Sequence, residues 1–292
     1  MQKRVIAVHD ISCVGKCSLT VALPVLSATG IETSILPTAV LSTHTGGFTG
    51  FTRRDLTEDM QPILKHWKSL PLPADAVYSG YLGSFDQLDI VSGLFDTYKA
   101  QGALLFADPV MADNGKLYGG FTGDFPAGMA QLCAKADVIV PNLTEAALML
   151  NEPYADGGYD EAYIKGLLTR LTGLGPRTAV LTGISFEKDR IGAVSYDRCA
   201  GEYASYFSER IDGYFHGTGD VFASALLAAV LHEKPWNEAL KIAVKFTVGC
   251  IRRTLEAGTE RRYGVDFENG LYELAGEIRR TERGAMQSIL QG

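Results

Sequence analysis

The chain has 292 residues, 46% of them hydrophobic and 21% charged, and its 27 Lys and Arg against 34 Asp and Glu leave a formal charge of −7. This composition is that of a folded globular protein and excludes a disordered or fibrous chain. The basic residues are scattered, which argues against a nucleic-acid partner but leaves room for a small phosphorylated ligand.

No window approaches 18 uninterrupted apolar residues, so no membrane span is expected, and the apolar run in "MQKRVIAVHD" is too short for the core of a signal peptide. The five cysteines, at 13, 17, 133, 199 and 250, are odd in number and mostly far apart, and neither a second close pair nor a histidine accompanies Cys13 and Cys17. They fit reduced thiols in a cytoplasmic protein better than disulfides or a zinc site.

In chain order, strands are expected at 4–8, 33–36, 75–79, 103–107, 137–140, 178–181, 191–196 and 202–207, where short β-branched and apolar runs recur. Helical spacing falls between most of them, at 18–28, 56–68, 86–100, 143–150, 160–172, 220–232, 236–256 and 269–281. The alternation predicts a single α/β domain over 1–292, a three-layer α/β/α arrangement with a mostly parallel central sheet and helices on both faces. The pair 191–207, joined by a short polar link, reads as an antiparallel hairpin at one side. No internal repeat or Gly/Pro/Ser-rich linker divides the chain.

Polar residues and glycines follow each strand: His9 and Asp10, then "GYLGS", "DPVMAD", "PNLTE" and "TG". In a parallel sheet these positions share the carboxyl edge, where ligands bind. Two phosphate motifs are excluded: "CVGKCS" lacks the first P-loop glycine and has Cys17 after the lysine, and in "GTGDVF" Phe222 replaces the third glycine of a dinucleotide fingerprint.

Gly217, Thr218 and Gly219 instead open a helix, whose unpaired N–H groups favour an anion. Asp220 beside them is either a first-turn residue supported by the dipole or a base acting on a substrate hydroxyl. Asp108 and Asp113, in a glycine-bearing loop, suit hydrated magnesium and a nucleotide tail, or simply a polar turn. Asn142 and Glu145 have the spacing of a capping box, which also points Glu145 into the crevice. His44 and Thr45 in "LSTHTGGFTG" belong to a substrate lid or a hairpin loop, and Tyr81 to a stacking platform or the core.

Together, "GTGD" opening a helix, "DPVM", "PNLTE", "SGYLGS" and "STHTG" resemble the ribokinase-like superfamily and, within it, the pyridoxal (vitamin B6) kinases, from His9 to about residue 250. The resemblance implies ATP-dependent phosphorylation of the 5′-hydroxymethyl group of pyridoxal, pyridoxine or pyridoxamine. It implies Asp220 as base, Gly217, Thr218 and Gly219 as the phosphoryl cradle, and Asp108, Asp113, Asn142 and Glu145 serving magnesium and the nucleotide phosphates, with Asp108 and Glu145 nearest the metal. Thr182 and Gly183 then line the nucleotide site, and Asp10, His44, Thr45 and Tyr81 the pyridine site.

ATP and Mg2+ are the implied cofactors, a monovalent cation is left open, and a homodimer is typical. Many B6 kinases carry a serine-bearing run where this chain has "VHDIS". Asp10 there would pair with a ring N–H or an amine, unless a small shift puts Ser12 in the pocket instead. The competing readings are a hydroxymethylpyrimidine kinase, then a sugar kinase, then a non-catalytic B6-binding protein; an intact "GTGD" disfavours the last, since a binder needs no base.

Overall fold

The computed structural model describes residues 2–280. In chain order the first half comprises β1 (Arg4–Ser12), α1 (Leu19–Ala28), β2 (Glu32–Leu41), β3 (Arg53–Asp55), α2 (Thr57–Trp67), β4 (Ala76–Ser79), α3 (Phe85–Lys99), β5 (Leu104–Ala107), β6 (Ala112–Asp113), β7 (Lys116–Leu117) and α4 (Phe125–Cys133). The second half continues with β8 (Val138–Ile139), α5 (Leu143–Met149), α6 (Glu161–Gly173), β9 (Thr178–Ile184), β10 (Arg190–Asp197), β11 (Glu202–Glu209), α7 (Thr218–Leu231), α8 (Trp236–Glu256) and α9 (Leu271–Arg279).

Nine strands form one sheet in the order β11-β10-β9-β8-β5-β4-β1-β2-β3. The six from β9 to β2 are parallel, while β3 at one edge and the β10–β11 hairpin at the other run antiparallel. Alternation along the strands explains the three layers. Val5, Tyr78, Phe106 and Val180 face α1, α7, α8 and α9, and their neighbours Ile6, Val77, Leu105 and Leu181 face α2 to α6. Both faces are therefore apolar, as a sheet covered by helices on either side requires.

Polar ends stop the helices. Asp160 caps α6 by accepting from the Tyr163 amide at 2.8 Å, and Asn142 with Glu145 forms the expected capping box on α5. Helix α7 is different: Val221 to Ala229 are all buried, so it is a core helix rather than an amphipathic one.

Several expectations need correction. β1 was expected to stop at residue 8 but runs to Ser12, because its ladder with β2 resumes past an irregularity at His9/Ile11 and pairs Ser12 with Leu41. His9, Asp10 and Ser12 are thus strand residues. β9 continues past 181 in the same way, so Thr182 and Gly183 lie within it. The elements β3, β6, β7 and α4 were not anticipated. The last expected helix begins with a 3-10 turn, Glu268–Gly270, and its predicted end at residue 281 lies outside the described residues.

β1 has β2 on one side and β4 on the other, so the chain reverses its direction of travel across the sheet there. Such a reversal opens a crevice beyond the carboxyl ends of the two strands. Among the described residues, no helix is long and apolar enough to cross a membrane.

Candidate active site

The end of the crevice where the sequence leads one to expect a phosphoryl cradle is built by the turn into α7. Gly217 caps that helix at φ 76°, and a Cβ on it would stand 2.0 Å from the Lys16 carbonyl oxygen. Only glycine satisfies both conditions. A Cβ on Gly219, by contrast, would meet nothing within 4 Å, so the helix opens there onto free space. The first-turn amides of Thr218, Gly219 and Asp220 have no intrahelical acceptor and point their dipoles at that space. The Thr218 hydroxyl turns back to donate to the Phe215 carbonyl at 3.1 Å.

Asp220 is half-buried at the edge of this opening. Burial pushes its carboxyl up to about 7, and the negative charge of Asp10 adds to the shift, while a hydrogen bond from the Ser18 backbone N–H opposes it. Ser18 itself sits at φ 53°, a strained position for a non-glycine residue, and its side chain also hydrogen-bonds Asp10. Nothing in the sequence singles out Ser18. Its role arises only where the 13–18 loop folds across the start of α7.

Asp108, directly after β5, is 7% exposed, and burial with the nearby charges of Glu145 and Asp220 pushes its carboxyl well up. Glu145, 3% exposed, is pushed up to about 8 by burial, although backbone hydrogen bonds pull against this. Its two oxygens accept from the Met111 amide at 3.2 Å and the Asn142 amide at 2.9 Å. Asn142 in turn accepts from the Glu145 amide at 2.9 Å and donates to the Ala112 carbonyl at 2.8 Å. The capping box is thus complete, and Glu145 holds the strand-end backbone together as it faces Asp108.

Asp113 is not in an irregular loop but in a tight hairpin between β6 and β7, turning at Asn114 (φ 50°) and Gly115 (φ 76°). Two successive positive φ values are what an Asn-Gly hairpin turn requires. That dipeptide was the signal available for this hairpin. Asn142 bridges to Thr182, whose amide donates to the Pro141 carbonyl at 3.1 Å, and the exposed Gly183 follows at φ 69°.

No group of three or more His, Cys, Asp and Glu able to hold a metal by itself occurs among the described residues. Asp108 nevertheless faces two other acids, and a cation held by one carboxylate, waters and phosphate oxygens would relieve that repulsion. Magnesium is bound in this way, so the residues present fit it.

The residues expected at the substrate ring lie at the reversal between β1 and β4. Asp10 and Ser12 are both buried and joined, with the Ser12 hydroxyl donating to the Asp10 carboxylate at 3.3 Å. Burial raises the Asp10 carboxyl, and the hydroxyls of Ser18 and Ser12 and the charge of Arg53 hold the rise down. Tyr81 is partly buried, with its ring 5.7 Å from that of Phe121. Thr45 is exposed on the 42–52 loop, which is the turn of the β2–β3 hairpin.

His44 anchors that loop: its Nδ1 accepts from the Gly46 amide at 3.1 Å, so Nε2–H donates to the Arg262 carbonyl at 2.6 Å. Burial lowers its pKa and keeps the ring neutral. Lys16 makes a parallel tie, its amide donating to the Tyr263 carbonyl at 3.0 Å and its ammonium pairing with Glu268 at 2.7 Å.

His9 does not join the crevice. It is fully buried against Tyr78, ring centroids 4.4 Å apart, with neither ring nitrogen partnered among the described residues, and burial depresses it to about 3. A Cβ on Gly80 would fall 2.3 Å from its Nδ1, so His9 is the packing floor under the Gly80 turn.

Comparison with known proteins bears on the family and the fold. The phosphomethylpyrimidine kinase family model matches residues 24–264. A solved structure of a candidate phosphomethylpyrimidine kinase from Bacteroides thetaiotaomicron, crystallised with pyridoxal, is 35% identical and covers 97% of this chain and 98% of its own, with a TM-score of 0.88. The structure of pyridoxal kinase from Lactobacillus plantarum is 33% identical, covers 94% of this chain and 97% of its own, and has a TM-score of 0.84. Pyridoxal kinase of Sus scrofa is 29% identical over 269 residues, 83% of this chain and 79% of its own. The ribokinase-like α/β fold, the glycine cradle and these matches lead to one statement: the chain belongs to the phosphomethylpyrimidine kinase family, in the group that includes the pyridoxal kinases.

Proposed function

We propose that this protein transfers the γ-phosphoryl group of ATP to the 5′-hydroxymethyl group of pyridoxal, pyridoxine or pyridoxamine. The observation that carries the reading is Asp220, a carboxyl with its pKa near 7 set beside an open helix N-terminus. A base poised near the working pH is what a hydroxyl nucleophile needs.

In this reading Asp220 accepts the hydroxyl proton as the substrate oxygen bonds to the γ-phosphorus and the bond to the ADP oxygen breaks. The amides of Thr218, Gly219 and Asp220 receive charge on the transferring group, with Gly217 fixing their direction. Asp108 would hold magnesium, with Glu145 orienting its waters and Asp113, Asn142, Thr182 and Gly183 beside the nucleotide. Magnesium supplies charge neutralisation between the phosphates. Asp10, Ser12, Thr45 and Tyr81 receive the ring, while His44 keeps the loop over it in place. The chain is taken as one domain acting as a cytoplasmic homodimer, with no nucleic-acid partner.

A second substrate, hydroxymethylpyrimidine, is favoured by the description of the family model itself. The relatives that are pyridoxal kinases, and the pyridoxal in the Bacteroides crystal, support the pyridine. The deciding experiment measures ADP formation from Mg-ATP with pyridoxal, pyridoxine, pyridoxamine, hydroxymethylpyrimidine and ribose in parallel. Turnover of at least one pyridine is expected, and its absence on all three would overturn the assignment.

A further inference from the structure

The edge strand β3 was not anticipated, and it carries a residue that no motif identifies. Arg53 pairs with Leu41 across the β2–β3 ladder, and its side chain reaches Gly83 and Tyr81. Its terminal nitrogen lies so close to the Gly83 backbone that a Cβ there would stand 2.3 Å away, and the Tyr81 ring borders the same spot. Asp55 accepts from the guanidinium at 2.9 Å. Among the described residues this is the one hydrogen bond recorded for the five N–H donors of the head group.

Arg53 is held by a relay. Asp55 accepts from both the amide and the hydroxyl of Thr57, and the Thr57 hydroxyl accepts from the Gln87 side-chain amide at 2.9 Å. Gln87 is fully buried, donates also to the Thr38 carbonyl at 3.0 Å, and accepts from the Gly83 amide at 2.7 Å. The Thr38 hydroxyl closes the circuit by donating to the Tyr81 carbonyl at 3.2 Å. A single buried amide thus fixes both the guanidinium and the turn that bears Tyr81. The Arg53 side chain is nonetheless 36% exposed, so its remaining N–H donors are accessible to a ligand.

We propose that Arg53 is a specificity-determining residue that binds the ionised ring hydroxyl of a hydroxypyridine substrate. The inference rests on the vitamin B6 reading above and sharpens it. A guanidinium offers donors and no acceptor, so it stabilises a phenolate oxygen and leaves an amino group at the same place unanswered. The ring end therefore selects an acidic hydroxypyridine over an aminopyrimidine. Asp10 on the other side, its charge sensed together with that of Arg53, supplies the complementary sign.

The test compares pyridoxine with 3-deoxypyridoxine, which lacks the ring hydroxyl, in the native enzyme, Arg53→Met and Arg53→Lys. Arg53→Met should lower kcat/KM for pyridoxine roughly 10- to 100-fold, the loss expected of a charged hydrogen bond, and change that for 3-deoxypyridoxine less than about twofold. Arg53→Lys should recover part of the loss. A second readout is the ultraviolet spectrum of bound pyridoxine, which should show the ring-ionised form on the native protein and move towards the neutral form on Arg53→Met. Equal losses on both substrates, or an unchanged spectrum, overturn the inference while leaving the kinase reading intact. A native enzyme that neither binds nor turns over any hydroxypyridine overturns both.

Discussion

The two ends of the crevice are constructed on opposite principles. At the ring end the buried carboxylate and the Gln87 relay are answered, Asp10 by Ser12, Ser18 and Arg53 and Gly83 and Thr38 by Gln87, while among the described residues Arg53 keeps most of its N–H donors open beside its one bond to Asp55. At the other end burial first, and neighbouring carboxylates second, push Asp108, Glu145 and Asp220 up: Glu145 and Asp220 act on Asp108, Asp113 on Glu145 and Asp10 on Asp220, and the groups that perturb them include no basic side chain. The first end is held in shape by hydrogen bonds and leaves the remaining donors of Arg53 open. The second stores repulsion that a cation and a phosphate would release, and so provides driving force where the chemistry happens.

Removing the base should separate the ends most strongly. Asp220→Asn is expected to lower kcat by roughly 10²- to 10⁴-fold, the range for a general base, with nucleotide affinity little changed. Near-normal turnover would take Asp220 out of the mechanism. The two glycines beside it should then behave differently from each other. Gly219→Ala fills free space, so it should leave the thermal midpoint in place and lower kcat by roughly 10-fold or more, as loss of a well-placed oxyanion contact does. Gly217→Ala meets the Lys16 carbonyl at positive φ and should instead cost stability, about 1–3 kcal/mol for the strain alone. Equal melting curves for the two variants would show that the structural distinction drawn between them is wrong.

Acidity gives the third measurement. Asp220 must be ionised to act, so kcat/KM should rise with pH and level off above about 7. Stability should move the other way. The folded state keeps protons on Asp220 and Glu145 up to about 7 and 8, whereas the unfolded chain releases them near the ordinary carboxylate values of 3.8 and 4.5. It therefore binds more protons between those limits, and the thermal midpoint of the ligand-free protein should fall as pH climbs from about 4 to about 8. Mg-ATP should flatten that fall, and a midpoint that rises over this range would contradict the account.

The smallest effect is expected from Gln87→Met at the ring end. It strands the Gly83 amide and the Thr38 carbonyl, at about 1–3 kcal/mol for each unpaired group, and loosens Tyr81 and Arg53. KM for the ring substrate should rise by roughly 3- to 10-fold while kcat stays within about twofold, because the groups doing the chemistry are untouched. A kcat loss as large as that of Asp220→Asn would erase the distinction between the ends.

The sequence made the phosphoryl end readable because its parts are local: "GTGD", the capping pair Asn142 and Glu145, and Asp108 each sit within a few residues of a strand or helix end that periodicity reveals. The ring end was harder. β1 and β9 continue past the point where apolar runs stop, because the ladder with β2 carries β1 on to Ser12 and the ladder with β10 carries β9 on to Ile184. β3 is the three polar residues "RRD", and only its register with β2 gives Arg53 a direction. His44 was weighed as a substrate residue and as a hairpin residue, and its partner, the Arg262 carbonyl, lies 218 positions away, beyond any local signal.

That last distance bears on how the protein comes into being. The two loops at the ring end, 13–18 and 42–52, are tied down by the Arg262 and Tyr263 carbonyls and by Glu268. A ribosome emits the chain from its amino end, and domains fold largely as units once enough has emerged. The sheet can begin to pair while later helices are still being made, but the crevice cannot acquire its roof until about nine-tenths of the protein has been synthesised. A nascent chain stalled before residue 261 would hold most of the strands and the Asp220 helix, yet bind its ring substrate poorly.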